Sequence, residues 1–185
     1  MPFEFRGTPI EGLLIIQPKV FYDRRGFFIE TYRHTVFEKN NIQGHFVQDN
    51  QSRSKKGTIR GLHYQINPYC QGKLVWCVRG SVWDVAVDLR KNSKTYGQWY
   101  GLELNGRKKT MFWMPEGFAH GFASLTDNAD LIYKTTREYN RDSERSIIWN
   151  DPFIGIKWPL NNPILSEKDL LNPLLSNIPE KERML

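Results

Sequence analysis

The chain has 185 residues, a net charge of +6 and 14% aromatic residues, enough for one domain with a real core and short for two. Its two cysteines exclude a disulfide framework. No stretch approaches the ~18 apolar residues of a membrane-spanning helix, and the basic residues are scattered rather than gathered into a nucleic-acid-binding tail.

The reading is therefore of a single domain over 1–185, with no nucleic-acid or membrane partner. The opening stretch "MPFEFRGTPIEG" has no apolar signal core. With Cys70 and Cys77 read as small core residues, this suits a reducing cytoplasm. The positive charge favours anionic partners through long-range attraction.

In chain order, strand candidates fall at 12–17, 45–53, 58–65, 73–89, 97–104, 110–114, 118–125 and 130–139. They are separated by Gly, Pro, Asn or charge. Short strands at this spacing predict a sandwich or barrel. The run "HTVFEKNN" (34–41) suits a short helix. "SEKDLL" (166–171) reads as a helix start with Ser166 as N-cap. The clearest segment, 73–89, is broken by Arg79-Gly80-Ser81, which reads as a hairpin turn. In its first arm Leu74, Trp76 and Val78 oppose Lys73, Val75 and Cys77. In its second, Trp83, Val85, Val87 and Leu89 oppose Asp84 and Asp88. The expected class is all-β, a jelly roll with a few short peripheral helices.

Four histidines are present: His34, His45, His63 and His120. The step "PEGFAHGF" (115–122) resembles the second motif of cupins, and "GLHYQ" stands where their first motif carries His-x-His. Gln65 replaces the second histidine there, and Tyr69, Cys70 and Gln71 stand near where the acid of that motif would be. A metal site needs three or four suitable ligands, so a metal-free barrel is expected. A metal-dependent cupin is the competing reading.

Strand alternation puts Gly61, His63 and Gln65 on one face. It groups Leu131, Tyr133, Thr135, Arg137 and Tyr139 on another strand. A neutral histidine is a suitable base near pH 7, and a tyrosine can return a proton. A nearby Lys or Arg stabilises an oxyanion. That set fits proton abstraction beside a carbonyl and needs no metal or organic cofactor. Spacing alone, however, favours Tyr133 and Tyr139 as barrel-wall aromatics.

Six stretches in order, "DRRGFFIETY" (23–32), "FVQDNQSRSKKGTIRGLHYQ" (46–65), "QGKLVWCVRGSVWDVAVDLR" (71–90), "PEGFAHGF" (115–122), "YKTTREY" (133–139) and "LSEKD" (165–169), resemble the dTDP-4-dehydrorhamnose 3,5-epimerases. The resemblance covers nearly the whole chain. It implies a metal-free cupin jelly roll, usually a homodimer that exchanges N-terminal β structure. It also implies epimerisation at C3′ and C5′ of dTDP-4-dehydro-6-deoxyglucose in dTDP-L-rhamnose biosynthesis.

The resemblance further assigns roles. His63 is the implied base, Asp169 its orienting carboxylate, Tyr133 the acid and Lys73 the stabiliser of the enolate. Arg25 and Arg60 are implied diphosphate ligands; Arg25 is chosen over Arg24 because it directly precedes Gly26. Tyr139 corresponds to a ring that stacks on thymine. Glu30, Gln48, Asp49, Asn50, His120, Glu144 and Lys168 match other substrate-contact positions. Relatives that epimerise only C3′ or only C5′ share most of these motifs, and a non-catalytic nucleotide-sugar-binding jelly roll is the reading of another class.

Overall fold

A computed structural model describes residues 2–183. The strands are β1 (Phe3–Gly7), β2 (Leu14–Pro18), β3 (Val20–Asp23), β4 (Gly26–Ile29), β5 (Gln48–Ser54), β6 (Ile59–Gln65), β7 (Lys73–Arg79), β8 (Ser81–Asp88), β9 (Trp99–Asn105), β10 (Met111–Met114), β11 (Phe118–Ser124), β12 (Ala129–Thr135) and β13 (Glu144–Ser146). Short helices are α1 (His34–Glu38), α2 (Glu167–Leu170) and α3 (Glu180–Arg183). A six-stranded sheet runs β1-β2-β10-β7-β12-β5 and faces a five-stranded sheet, β13-β6-β11-β8-β9, while β3 and β4 form a separate hairpin. Every strand pair within these sheets is antiparallel. This is a cupin-type jelly roll, as the spacing and the resemblance predict.

Both sheets are apolar on both faces, which accounts for the long unbroken hydrophobic runs. Between the sheets lie Val75, Cys77, Val82, Ala86, Leu104, Phe112 and Leu131. The outer face of the five-stranded sheet carries Leu62, Tyr64, Val85 and Val87, covered by Ile154, Leu175 and Ile178 of the C-terminal segment. The outer face of the six-stranded sheet carries Phe3, Leu74, Trp76 and Met111, covered by Phe37 of α1. Full burial of an aliphatic or aromatic side chain is worth about 1.5–3 kcal/mol relative to exposure, so these outer layers contribute alongside the barrel interior.

The hairpin expected at Arg79-Gly80-Ser81 is not formed. β7 pairs with β10 and β12, whereas β8 pairs with β9 and β11. Gly80 is a corner between the two sheets. It has φ +73°, and a Cβ there would lie 2.4 Å from Thr126 Oγ1 and 3.0 Å from Ala129 Cα. Alternation alone could not reveal this, because each arm has two buried faces wherever its neighbours lie.

The candidate at 130–139 is also shorter than expected. β12 ends at Thr135, and Arg137 is exposed with its guanidinium on the Thr136 carbonyl. It therefore does not join Leu131, Tyr133 and Thr135 on the inner face. β1, the β3–β4 hairpin and β13 have no counterpart among the sequence candidates. The helix starts at 34 and 166 are both present. Ser166 caps α2 through its Oγ, which accepts from the Asp169 backbone N–H at 3.1 Å.

Candidate active site

One end of the barrel opens into a cleft of about 470 Å³, within the usual size range for a small-ligand site. Its wall from the five-stranded sheet includes Arg60, His63 and Gln65 of β6, His120 of β11 and Glu144 of β13. The wall from the six-stranded sheet includes Gln48 and Asn50 of β5, Lys73 of β7 and Tyr133 of β12. Tyr139, Lys168 and Asp169 line it from the connecting segments. The pleat explains Gln48 and Asn50 of β5 and His63 and Gln65 of β6, which are alternate residues, while Arg60 lies beyond the register shift in the β6–β11 pairing.

His63 Nε2 lies 2.7 Å from Asp169 Oδ1. The carboxylate can only accept, so Nε2 carries the proton and Nδ1 keeps the lone pair. Asp169 is 3% exposed. Burial pushes its pKa up, but the hydrogen bond and charge of His63, with hydrogen bonds from Ser166 and Asn172, bring it below the ordinary carboxylate value. This is the base-and-orienter geometry of a triad histidine.

Lys73 is buried, with Nζ 3.5 Å from the His63 carbonyl oxygen. Burial lowers its pKa to about 8, against the opposing charges of Asp84 and Glu144. Burial also raises the Tyr133 pKa, so this hydroxyl keeps its proton at neutral pH. The Tyr133 and His120 rings lie 6.5 Å apart at 61°. His120 Nε2 contacts both oxygens of Asp84, at 3.1 and 3.0 Å. At the mouth, Glu144 accepts from the Tyr139 hydroxyl at 2.9 Å and from the Lys168 ammonium. The Tyr139 backbone N–H donates to Gln48 Oε1 at 2.8 Å. Arg60 is fixed by bonds to Ser54 Oγ and the Arg53 carbonyl.

The structure thus gathers His63, Tyr133, Asp169, Lys73, Gln48, Asn50, Arg60, His120, Tyr139, Glu144 and Lys168 around one cleft. Three residues assigned by resemblance lie outside its lining. Asp49 sits between Gln48 and Asn50 on a pleated strand, faces the other way, and pairs with Lys134 at 2.8 Å. Arg25 is on the β3–β4 turn, paired with Asp23 at 2.6 Å. Glu30 follows β4 and pairs with Arg33. No residue of the β3–β4 hairpin lines its own chain's cleft.

Sequence reasoning left Asp84 and Asn172 unassigned. Asp84 had a usable signal: a charge inside the apolar run "SVWDVAVD", now fully buried. Asn172 had none, because the Ser146 hydroxyl that holds its amide oxygen is 26 residues away.

No group of three or more His, Cys, Asp or Glu side chains among the described residues is arranged to hold a metal. Gln65, at the second-histidine position of the cupin motif, has its amide held by backbone: Nε2 donates to the Tyr69 and Glu138 carbonyls, and Oε1 accepts from Asn140 N–H.

Comparison with known proteins agrees over nearly the whole chain. A family model described as dTDP-4-dehydrorhamnose 3,5-epimerase matches residues 7–177. A dTDP-4-dehydrorhamnose 3,5-epimerase of Shigella flexneri is 54% identical over 164 residues, 88% of this chain and 91% of that protein. One of Salmonella typhimurium is 52% identical over 172 residues, covering 91% and 93%. Among solved structures, the dTDP-6-deoxy-D-glucose-3,5-epimerase of Legionella pneumophila, in complex with dTDP-4-keto-L-rhamnose, superposes with a TM-score of 0.95 at 47% identity, covering 98% of this chain and 97% of its own. With its fold and the order of its motifs in agreement, this chain belongs to the dTDP-4-dehydrorhamnose 3,5-epimerase family.

Proposed function

We propose that this chain epimerises C3′ and C5′ of dTDP-4-dehydro-6-deoxy-D-glucose, giving dTDP-4-dehydro-L-rhamnose for dTDP-L-rhamnose biosynthesis. The observation that carries the reading is the placement of His63 and Tyr133 on opposing sheets with one cleft between them. A sugar ring held there presents one face to each. His63 Nδ1 removes the proton beside the 4-keto group, and the C–H electron pair moves into the enolate at O4′. The Lys73 ammonium stabilises that oxygen. Tyr133 gives its proton to the opposite face, and the enolate collapses to the inverted ketone. His63 and Tyr133 return to their starting states by exchange with water. The same cycle serves C3′ and C5′, and the substrate's own carbonyl takes the charge, so no metal or organic cofactor takes part.

Arg60 and Lys168 supply positive charge for the diphosphate, and Tyr139 supplies a ring for thymine. Gln48, Asn50, His120 and Glu144 orient the sugar. We place Arg25 and Glu30 in the cleft of a second copy. The β3–β4 hairpin is the part of the chain best suited to reach it, with Phe21, Tyr22, Phe27 and Phe28 all at least 47% exposed. The working form is thus a homodimer. The proposed setting is the reducing cytoplasm, which suits two buried free thiols.

Proton NMR of dTDP-4-keto-6-deoxyglucose with the protein in D₂O tests this reading. The expected result is deuterium at C3′ and C5′ together with the inverted product, and at least a 10²-fold slower appearance with His63→Ala. Deuterium at one carbon alone would make it a mono-epimerase. No deuterium at either would leave a binding module.

A further inference from the structure

Asp169 rides on α2, a helix of four residues that is too short to hold an orientation by itself. The residue two beyond it, Leu171, is 85% exposed. Ser166 Oγ accepts from the backbone N–H of Asp169 at 3.1 Å. His63 and Asn172 both meet the carboxylate at Oδ1, at 2.7 and 3.2 Å.

Asn172 is itself buried, at 8% exposure. Its Oδ1 lies 2.6 Å from Ser146 Oγ on β13. The direction of every bond follows from the inventory of donors. The ionised carboxylate accepts only, so the amide NH₂ of Asn172 faces Asp169 and its oxygen accepts from the Ser146 hydroxyl. Ser146 is the register partner of His63 across the β13–β6 ladder. The chain of contacts therefore closes on itself: His63 imidazole, Asp169, Asn172, Ser146, and the strand that carries His63.

We propose that Asn172, held by Ser146, is a positioning residue for the reaction. It fixes the carboxylate of Asp169 so that the Nε2–H of His63 is held and its Nδ1 lone pair is aimed into the cleft. The role rests on the reading of His63 and Asp169 given above. Without the amide, the carboxylate turns about its own side-chain torsions and the imidazole loses its fixed orientation. Substrate contacts are untouched, because neither Asn172 nor Ser146 lines the cleft.

The test uses the full-length protein and the rate of deuterium wash-in at C3′ and C5′ over a range of substrate concentrations. Four variants are compared: Asn172→Leu, which keeps the approximate size and removes both the donor and the acceptor of the amide, Ser146→Ala, Asp169→Asn, and Asn172→Leu combined with Asp169→Asn. We expect kcat to fall about tenfold in Asn172→Leu, the scale seen when a partner of a functional ligand is lost, with KM unchanged. Ser146→Ala should lower kcat about fivefold, as for one lost hydrogen bond. In the Asp169→Asn background, Asn172→Leu should cost nothing further, since Asn172 acts only through that carboxylate.

Wild-type kcat in Asn172→Leu beside a slow Asp169→Asn would overturn this proposal alone. So would a tenfold loss that persists undiminished in the Asp169→Asn background, which would mean a packing effect. Wild-type wash-in by Asp169→Asn would remove the underlying reading of the His63–Asp169 pair, and this proposal with it. Should Asn172→Leu fail to fold, Ser146→Ala with and without Asp169→Asn makes the same comparison: loss in the first background and none in the second supports the proposal, and any other pattern overturns it.

Discussion

Tyr133 and Lys73 give the site two separable signatures. Tyr133→Phe removes one hydroxyl from a half-buried ring and leaves the packing in place. The enolate still forms on the His63 side, and His63 can return the proton to the face it came from. Deuterium should therefore enter the unepimerised sugar at a near-normal rate while inverted product falls about 10²-fold or more. Wild-type inversion would make Tyr133 a wall aromatic, and joint loss of wash-in and inversion would mean the hydroxyl is needed to form the enolate. For Lys73 the expected signature is in pH. Burial lowers its pKa from 10.5 to about 8, so the charge on the enolate partner, and the rate with it, falls as pH rises through about 8. The stability contribution has the opposite sign. Between about 8 and 10.5 the unfolded chain binds more protons at this position than the folded one, so Lys73 makes folding more favourable as pH rises there. A basic limb near pH 8 without an accompanying drop in melting temperature is the expected result. A rate loss that tracks unfolding would remove Lys73 from the role. His63, Lys73 and Tyr133 were all legible in the sequence, because each stands in a quotable motif. Asn172 was not, because its meaning comes from Ser146 and Asp169, 26 and three residues away.

Among the elements, the end of β8 shows how a single polar residue holds a strand and its following loop. Asp88 is fully buried and accepts from Arg90 N, Nε and Nη2, Ser93 Oγ and Thr95 Oγ1 at 2.6–3.0 Å. Burial raises its pKa, and these donors more than reverse the effect, so the folded value lies below the ordinary 3.8. The sign follows: the stability Asp88 provides is complete above the unfolded value and is lost as pH falls through the folded one. Asp88→Asn should lower stability by about 2–3 kcal/mol in denaturant unfolding at pH 7, with kcat unchanged because Asp88 lies outside the cleft. The difference from the parent should shrink below about pH 4. Equal stability at pH 7 would show that solvent replaces those donors. At this scale the sequence indicated most strands and both helix starts at 34 and 166, since these rest on local periodicity and capping. It misread Gly80 as a hairpin turn, since pairing partners are not encoded in the alternation of strands buried on two faces.

For the molecule as a whole, the decisive feature is the β3–β4 hairpin, whose exposed aromatics and Arg25 do not line the chain's own cleft. The proposed homodimer gives this arrangement a use, and two measurements check it. Light scattering should report twice the 21.8 kDa of one chain, and Phe28→Glu should shift it toward the single mass. Mixing His63→Ala with Arg25→Ala chains should restore activity, because one site of each mixed pair then has both residues intact. No gain over the separate variants would place Arg25 outside the site. Sequence alone determined the fold class, the family and most of the residues that meet in the cleft, because strand periodicity, helix capping and motif order are properties of neighbouring residues. Tertiary structure decided that β7 and β8 part at Gly80, which face of β5 turns to the cleft, and that Arg25 and Glu30 do not line it. It also decided that Asp84 and Asn172 stand behind His120 and Asp169. Each of these depends on which distant segments meet across the barrel, and burial and hydrogen-bond partners exist only once those segments are packed together.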